Sequence, residues 1–192
     1  MRPDSYLEAL TRMAWAYLFL CIDFSLNLGP CSVNLLPDWL GFLLIFYSLP
    51  LLQEQKPTAA LLKPPAILLG VCDVVFWILE SFLGITDFLT LVQLICSALT
   101  MYFNFQLFTD LASIAADHGL SHHARSLRRV RSAVTIYAAV FSVTLQLYPL
   151  DTLSTMAAAL LTVGTMCLTV WFVSSLFLFR NAERSRMFYE AS

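Results

Sequence analysis

Charge is scarce in this chain, and positive charge is missing altogether from three of the five connections between its apolar segments. Only 12% of the 192 residues are Asp, Glu, Lys or Arg, about half the share of a typical soluble domain. A surface of that composition cannot face water all round, which excludes an ordinary water-soluble globule. The five cysteines, Cys21, Cys31, Cys72, Cys96 and Cys167, are odd in number and form no CxxC pair. Four of them sit in apolar segments, where cysteine acts as a small hydrophobe, so a disulfide framework and a thiol-exchange enzyme are both excluded. Enzyme signatures are absent too. There is no GxSG or GxGD element of an intramembrane protease, no paired-Glu signature, no HExxH, no phosphate-binding loop and no DG…AR pattern of phosphatidyl transferases, so the sequence implies no reaction, cofactor or metal. Nucleic-acid binding is excluded as well, because four clustered arginines do not make a docking surface.

What the chain does have is apolar length. Hydrophobic residues make up 59% of it, in six segments at about 13–28, 39–52, 66–83, 88–108, 133–148 and 156–179. A helix rising 1.5 Å per residue needs about 20 residues to cross a bilayer core of about 30 Å. Runs such as LGFLLIF do not alternate as barrel strands would, and lipid punishes unpaired backbone groups, so helices are the expected structure. The expected fold is all-α: a polytopic membrane protein of six transmembrane helices in three hairpins, one membrane domain with a short tail at 180–192. The second segment, at about 14 residues, reaches only about 21 Å, so it thins the bilayer, begins below the membrane surface or is re-entrant. The N-terminus has a superficial likeness to a signal peptide, but no small-x-small site follows and Asp23 interrupts the run. It reads as an uncleaved first span.

The placement of charge orients these spans. All 11 Lys and Arg residues lie before the first segment, after the sixth, or in the second and fourth connections. Loops rich in Lys and Arg stay cytoplasmic, so both termini are expected there. The opposite half holds Asp23, Asp38, Asp73, Glu80, Asp87 and Asp151 and no base. Three of these acids, Asp38, Asp87 and Asp151, open the returning helix of each outer turn (LLPDWL, GITDFL, YPLDTL). Asp suits an N-cap because its carboxylate accepts first-turn amide hydrogens. Asp23, Asp73 and Glu80 fall inside spans, where an ionisable group is costly and often functional. Asn27 follows Asp23 by one helical turn. Asp23, Asn27, Asp38, Asp73 and Glu80 are therefore the candidate ligand- or ion-binding residues, with hydrogen bonding between helices as the plainer alternative for each.

The stretch IDFSLN, a small-residue turn and LPDWLGFLLIF resembles small multi-pass membrane proteins of clostridia- and bacillus-like Gram-positive bacteria. The resemblance covers about 30 residues and carries Asp23, Asn27, Pro37, Asp38 and Gly41 as motif positions. Trp39 and Leu40 stand where Phe and Ile are expected. It implies a bacterial cytoplasmic membrane and supplies no activity. Short segments interrupted by Gly or Pro also mark the binding region of many transporters.

On the basic side, Asp110 to Arg131 contains three His and four Arg. Arg125, Arg128, Arg129 and Arg131 suit contact with anionic lipid, at about 1 kcal/mol each, or serve only as a topology anchor. His118 and His122 are four residues apart, but Gly119 lies between them and no carboxylate supports a metal. The leading expectation is a non-enzymatic protein that binds or transports a small solute or cation at an acidic outward-facing site. The alternative is a membrane scaffold or subunit of a larger complex, such as the substrate-capture subunit of an importer, or a homo-oligomer. An embedded hydrolase is a third reading and requires two carboxylates on one water-accessible cavity.

Overall fold

The computed structural model describes residues 3–21, 25–28, 31–34, 38–79, 90–147 and 155–191. Among these residues there are six α-helices: α1 Pro3–Cys21, α2 Trp39–Gln55, α3 Lys63–Ile78, α4 Thr90–Asp117, α5 Ser121–Leu147 and α6 Thr155–Ala191. A 3₁₀ helix, Pro57–Leu62, joins α2 to α3. Pro57 stands in the first turn of the 3₁₀ helix, and Pro64 and Pro65 open α3. There their missing N–H groups forfeit nothing. Each helix packs on the next in sequence, and α1 closes the ring against α6.

Two features depart from the expected all-helical spans. The first segment is not helical to its end: α1 stops at Cys21, and Ser25–Leu28 (β1) pairs antiparallel with Cys31–Asn34 (β2). Asn27 lies opposite Ser32 in this hairpin, so it is not a helical residue one turn beyond Asp23. The sequence between the strands, Gly29-Pro30, disfavours helix at the preceding residues, and the ladder supplies the backbone bonds that a helix would otherwise provide. The helices on the basic side are also longer than their apolar runs. The stretch expected as a connection, 110–131, is helical except at residues 118–120, and the expected tail is helical to Ala191. Leu111, Ala112, Ile114 and Ala115 on α4, Leu127 and Val130 on α5, and Glu183 on α6, one turn past the buried Phe179, are all buried. That face continues at helical spacing beyond the uninterrupted apolar run.

The turn between α4 and α5 explains itself chemically. Leu120 N–H donates to Ala115 O (2.8 Å) and Gly119 N–H to Ala116 O (3.0 Å). These are the two bonds of a Schellman ending, and Gly119 takes the required positive φ of 76°.

Among the described residues, two stretches are long and apolar enough to cross a membrane, Pro57–Ile78 and Ala159–Tyr189. Large apolar side chains also face outward in stripes. On α3 these are Ile67, Leu68, Val71, Val75 and Ile78; on α6, Leu160, Val163, Met166 and Val170. Hydroxyls within the helices bond back to their own turn, among them Ser48 to Leu44 O, Thr144 to Val140 O and Ser175 to Trp171 O. Such bonds satisfy a hydroxyl where water cannot.

The core is centred on three rings from three helices. Tyr17 of α1 and Phe172 of α6 have centroids 4.6 Å apart, Phe108 of α4 and Phe172 4.5 Å, and Tyr17 and Phe108 6.5 Å. At Gly41 α2 lies close against α1, so that an added Cβ would lie 2.6 Å from Leu20 Cγ and 2.9 Å from Ala16 O. At Gly70 the nearest atom to an added Cβ is Phe42 Cβ at 3.4 Å. Gly41→Ala is therefore expected to cost about 1–3 kcal/mol through overpacking. Gly70→Ala should be neutral or stabilise by up to about 1 kcal/mol through helix propensity. Unfolding of the two variants side by side measures the difference, and equal effects would count against the close crossing.

Candidate functional site

A cavity of about 310 Å³ opens beside the three-ring contact, and all six helices line it. Tyr17 and Phe172 form part of its wall, with Phe42 of α2 and Tyr137 of α5. Its acids are Asp38, at the start of α2, and Asp73 of α3. The neutral polar lining comes from Thr100 and Asn104 of α4 and from Thr165 and Thr169 of α6. A second cavity of about 580 Å³ shares Asp73, Thr100, Asn104, Val134 and Ala138 with the first. Among the described residues, no Lys, Arg or His lines either one.

The polar lining is held in place by hydrogen bonds. Tyr17 Oη donates to Asn104 Oδ1 at 2.7 Å, tying α1 to α4 across the bundle. Tyr137 Oη donates to Leu161 O (2.6 Å) and lies 2.8 Å from Thr165 Oγ1. Gly164 lets this ring lie on α6, since an added Cβ would stand 3.3 Å from Tyr137 Cε2.

Of the residues singled out from sequence, Asp38 and Asp73 meet on one cavity. Asp38 occupies the N-cap position of α2 but makes no side-chain capping bond, and its backbone is already helical (φ −58°, ψ −29°). A helical Ncap does not aim its carboxylate at the first-turn amides, so the expected cap is absent at Asp38. Asn27 is placed by its backbone in β1. Asp23, Glu80, Asp87 and Asp151 lie outside the described residues. Attention to acids alone missed Tyr17, Asn104, Tyr137, Thr165 and Thr169. Two signals pointed to some of them: Asn104 is an amide within an apolar run, and Thr165 and Thr169 share a face at i, i+4.

The other end of the bundle is a basic end with a buried ionic cluster. Glu183 of α6 is 0% exposed. It lies 2.6 Å from His118 Nδ1 and accepts from Arg186 Nε at 3.0 Å. Tyr6 of α1, 1% exposed, sets its ring edge-on to His118. Asp110, 2% exposed, accepts from Thr58 (2.6 Å) and Gln106 (3.1 Å) and so clamps the 3₁₀ helix to α4. Lys56 reaches Ser113 Oγ at 2.7 Å and Asp117 at 3.7 Å. Arg180 Nε donates to Thr11 Oγ1 at 3.0 Å, and Arg131 to Thr109 Oγ1 at 2.9 Å, with its guanidinium 4.4 Å from the Phe105 ring centroid. His118 and His122 are drawn apart: His118 goes to Glu183, while His122 lines a separate groove between α5 and α6.

Comparison with protein-family models, curated proteins and solved structures returned no match. Any functional reading therefore rests on the chain's own geometry.

Tyr6 offers a direct check of the basic end. Burial, and next the Glu183 carboxylate, push its phenol well above the ordinary value, which is about 10. The unfolded chain releases that proton first, so stability falls as pH rises past about 10. Tyr6 Oη is also buried with no hydrogen-bond partner among the described residues. Tyr6→Phe is thus expected to match or exceed the parent's stability at neutral pH, within about 1 kcal/mol. Its advantage should widen between about pH 9 and pH 11, read from paired thermal unfolding curves. Marked destabilisation at neutral pH would show that the hydroxyl has a partner.

Proposed function

We propose that this chain is a polytopic membrane protein whose central cavity binds a small cation or cationic solute as part of its transport. In this reading all six helices lie in a bacterial cytoplasmic membrane, with the basic end and both termini on the cytoplasmic side. The outward apolar stripes of α3 and α6 are the lipid-facing surface, and the back-bonded hydroxyls are the adaptation that such a surface requires. The bases gathered at one end satisfy the loop-charge rule.

One observation carries the ligand class: Asp38 and Asp73, from different helices, line one cavity whose lining, among the described residues, includes no base. Two carboxylates sharing a poorly solvated space raise each other's cost of ionisation. A bound cation relieves that cost, and an anion aggravates it. Tyr17, Phe42, Tyr137 and Phe172 add ring faces, which attract cations through their quadrupoles. Asn104 and the threonines supply neutral polar contacts. The protein is read as a binder and carrier, with no group assigned to bond cleavage.

A subunit role is the second reading, and the end of α6 favours it. Phe188 is 66% exposed and Tyr189 83% exposed, on a helix that extends past the basic belt. Purification in mild detergent separates the readings, because a subunit brings a stoichiometric partner and a self-sufficient carrier does not.

For the cation site, a panel of inorganic cations and small amines is tested for its effect on the thermal midpoint of the purified protein. A member of the panel should raise the parent's midpoint. Asp38→Asn and Asp73→Asn, which keep shape and remove charge, should each weaken that ligand by about ten- to hundredfold, the loss of one charge-assisted contact. Undiminished ligand response in both variants, or stabilisation of the parent by anions alone, would overturn the assignment.

A further inference from the structure

A second site lies at the basic end, on the outer surface between α5 and α6. It is a groove of about 300 Å³ lined by His122, Arg125, Ser126, Arg129 and Trp171. The four α5 residues recur at intervals of three and four and so share one helix face. The lining includes no acid. Other arginines at this end are already engaged: Arg131 with Thr109 and Phe105, Arg186 with Glu183, Arg12 with Glu8. Arg125 and Arg129 have no ion pair among the described residues, and Arg125 Nε makes only a 3.4 Å contact with Ser121 O. Two guanidinium groups and an imidazole thus face a groove without counter-charge. Guanidinium forks match the oxygens of a phosphate group.

The groove does not end at its charged mouth. Seven and eleven residues beyond Arg129, on the same face, stand Ile136 and Val140. Four, eight and eleven residues before Trp171 stand Cys167, Val163 and Leu160. All five are exposed. A free phosphate ion would use the mouth alone, whereas a phospholipid would use the mouth and the apolar strip together. Trp171 stands where the two meet, the depth at which indole rings concentrate in membrane proteins.

We propose that this groove holds the phosphate of an anionic phospholipid between Arg125, Arg129 and His122, with an acyl chain against the α5–α6 strip. The proposal is independent of the central cavity's ligand and rests on the membrane reading. That reading fails separately, if the chain is monodisperse without detergent or lipid.

The test uses the full chain, stripped of lipid in mild detergent. Phosphatidylglycerol, phosphatidylcholine and inorganic phosphate are titrated in parallel, with native mass spectrometry for retention and thermal unfolding for stabilisation. Phosphatidylglycerol should be retained and raise the midpoint, while the other two should not. Arg125→Gln with Arg129→Gln should weaken it on the order of 25-fold, at about fivefold per guanidinium. Each single variant should show its own share. Arg128→Gln, equally basic and outside the groove, should stay within about twofold of the parent. An equal loss in R128Q would reduce the site to a general basic surface. Equal retention of phosphatidylcholine would remove the headgroup's role, and full stabilisation by phosphate alone would remove the lipid.

Discussion

The contact of Tyr17, Phe108 and Phe172 is the constraint from which the rest of the bundle can be read. It joins α1, α4 and α6, which are far apart in sequence, at ring distances that bury three aromatic faces at once. On one side of it the helices close tightly. Leu49, Leu52, Leu62, Leu111 and Phe179 are fully enclosed there, and Glu183, His118 and Asp110 find partners in the interior. On the other side the helices leave room, and Tyr17 and Phe172 become the wall of a cavity. Tyr17 serves both sides: its ring packs in the core, and its hydroxyl positions Asn104 over the open space.

This arrangement gives the scarcity of charge a structural meaning. Every acid that is buried at the basic end has donors beside it. Glu183 has Arg186 and His118, while Asp110 has Thr58 and Gln106. A buried carboxylate without such partners is expensive to keep ionised. Asp38 and Asp73 border a cavity that offers them amide and hydroxyl neighbours but no positive charge. The cationic partners of the buried acids therefore gather at one end, around Glu183, while the acids of the cavity lie among neutral polar groups.

Much of this was legible in the sequence, because a six-fold alternation of apolar runs and breaks leaves few other folds. The helix count follows from hydropathy, and the gathering of bases at one end follows from their spacing. The limits have physical causes. The lengths of α4, α5 and α6 were underestimated because Leu111, Leu127, Glu183 and their neighbours continue a buried face among charged residues, where a window of mean hydropathy sees only a polar stretch. The β1–β2 hairpin was missed because Ser25–Leu28 reads as the end of an apolar run, and cross-strand pairing is a tertiary fact. At the cavity, the acids stood out by their rarity. Tyr17, Thr165 and Thr169 did not, since aromatic and hydroxyl residues are common in apolar helices and only packing separates lining from core.

The division of the bundle also bears on where movement can occur. Local opening is easiest where buried apolar contacts are few and polar groups line open space. At the basic end, Asp110 clamps the 3₁₀ helix, Glu183 links α6 to the α4–α5 turn, and the Schellman bonds fix that turn. Opening there means breaking several buried polar contacts together. At the cavity end, α3 meets its neighbours largely through apolar surface, and Gly70 lies in ordinary van der Waals contact with Phe42. Displacement of α3 there would move Asp73 relative to Asp38 without disturbing the ionic cluster. A ligand that bridges those two carboxylates would oppose that displacement, and neutralising either acid would weaken the opposition. If the cavity holds a cation as proposed, the geometry that selects it is also the geometry through which binding acts on the fold, with the three rings as the boundary between the part that yields and the part that holds.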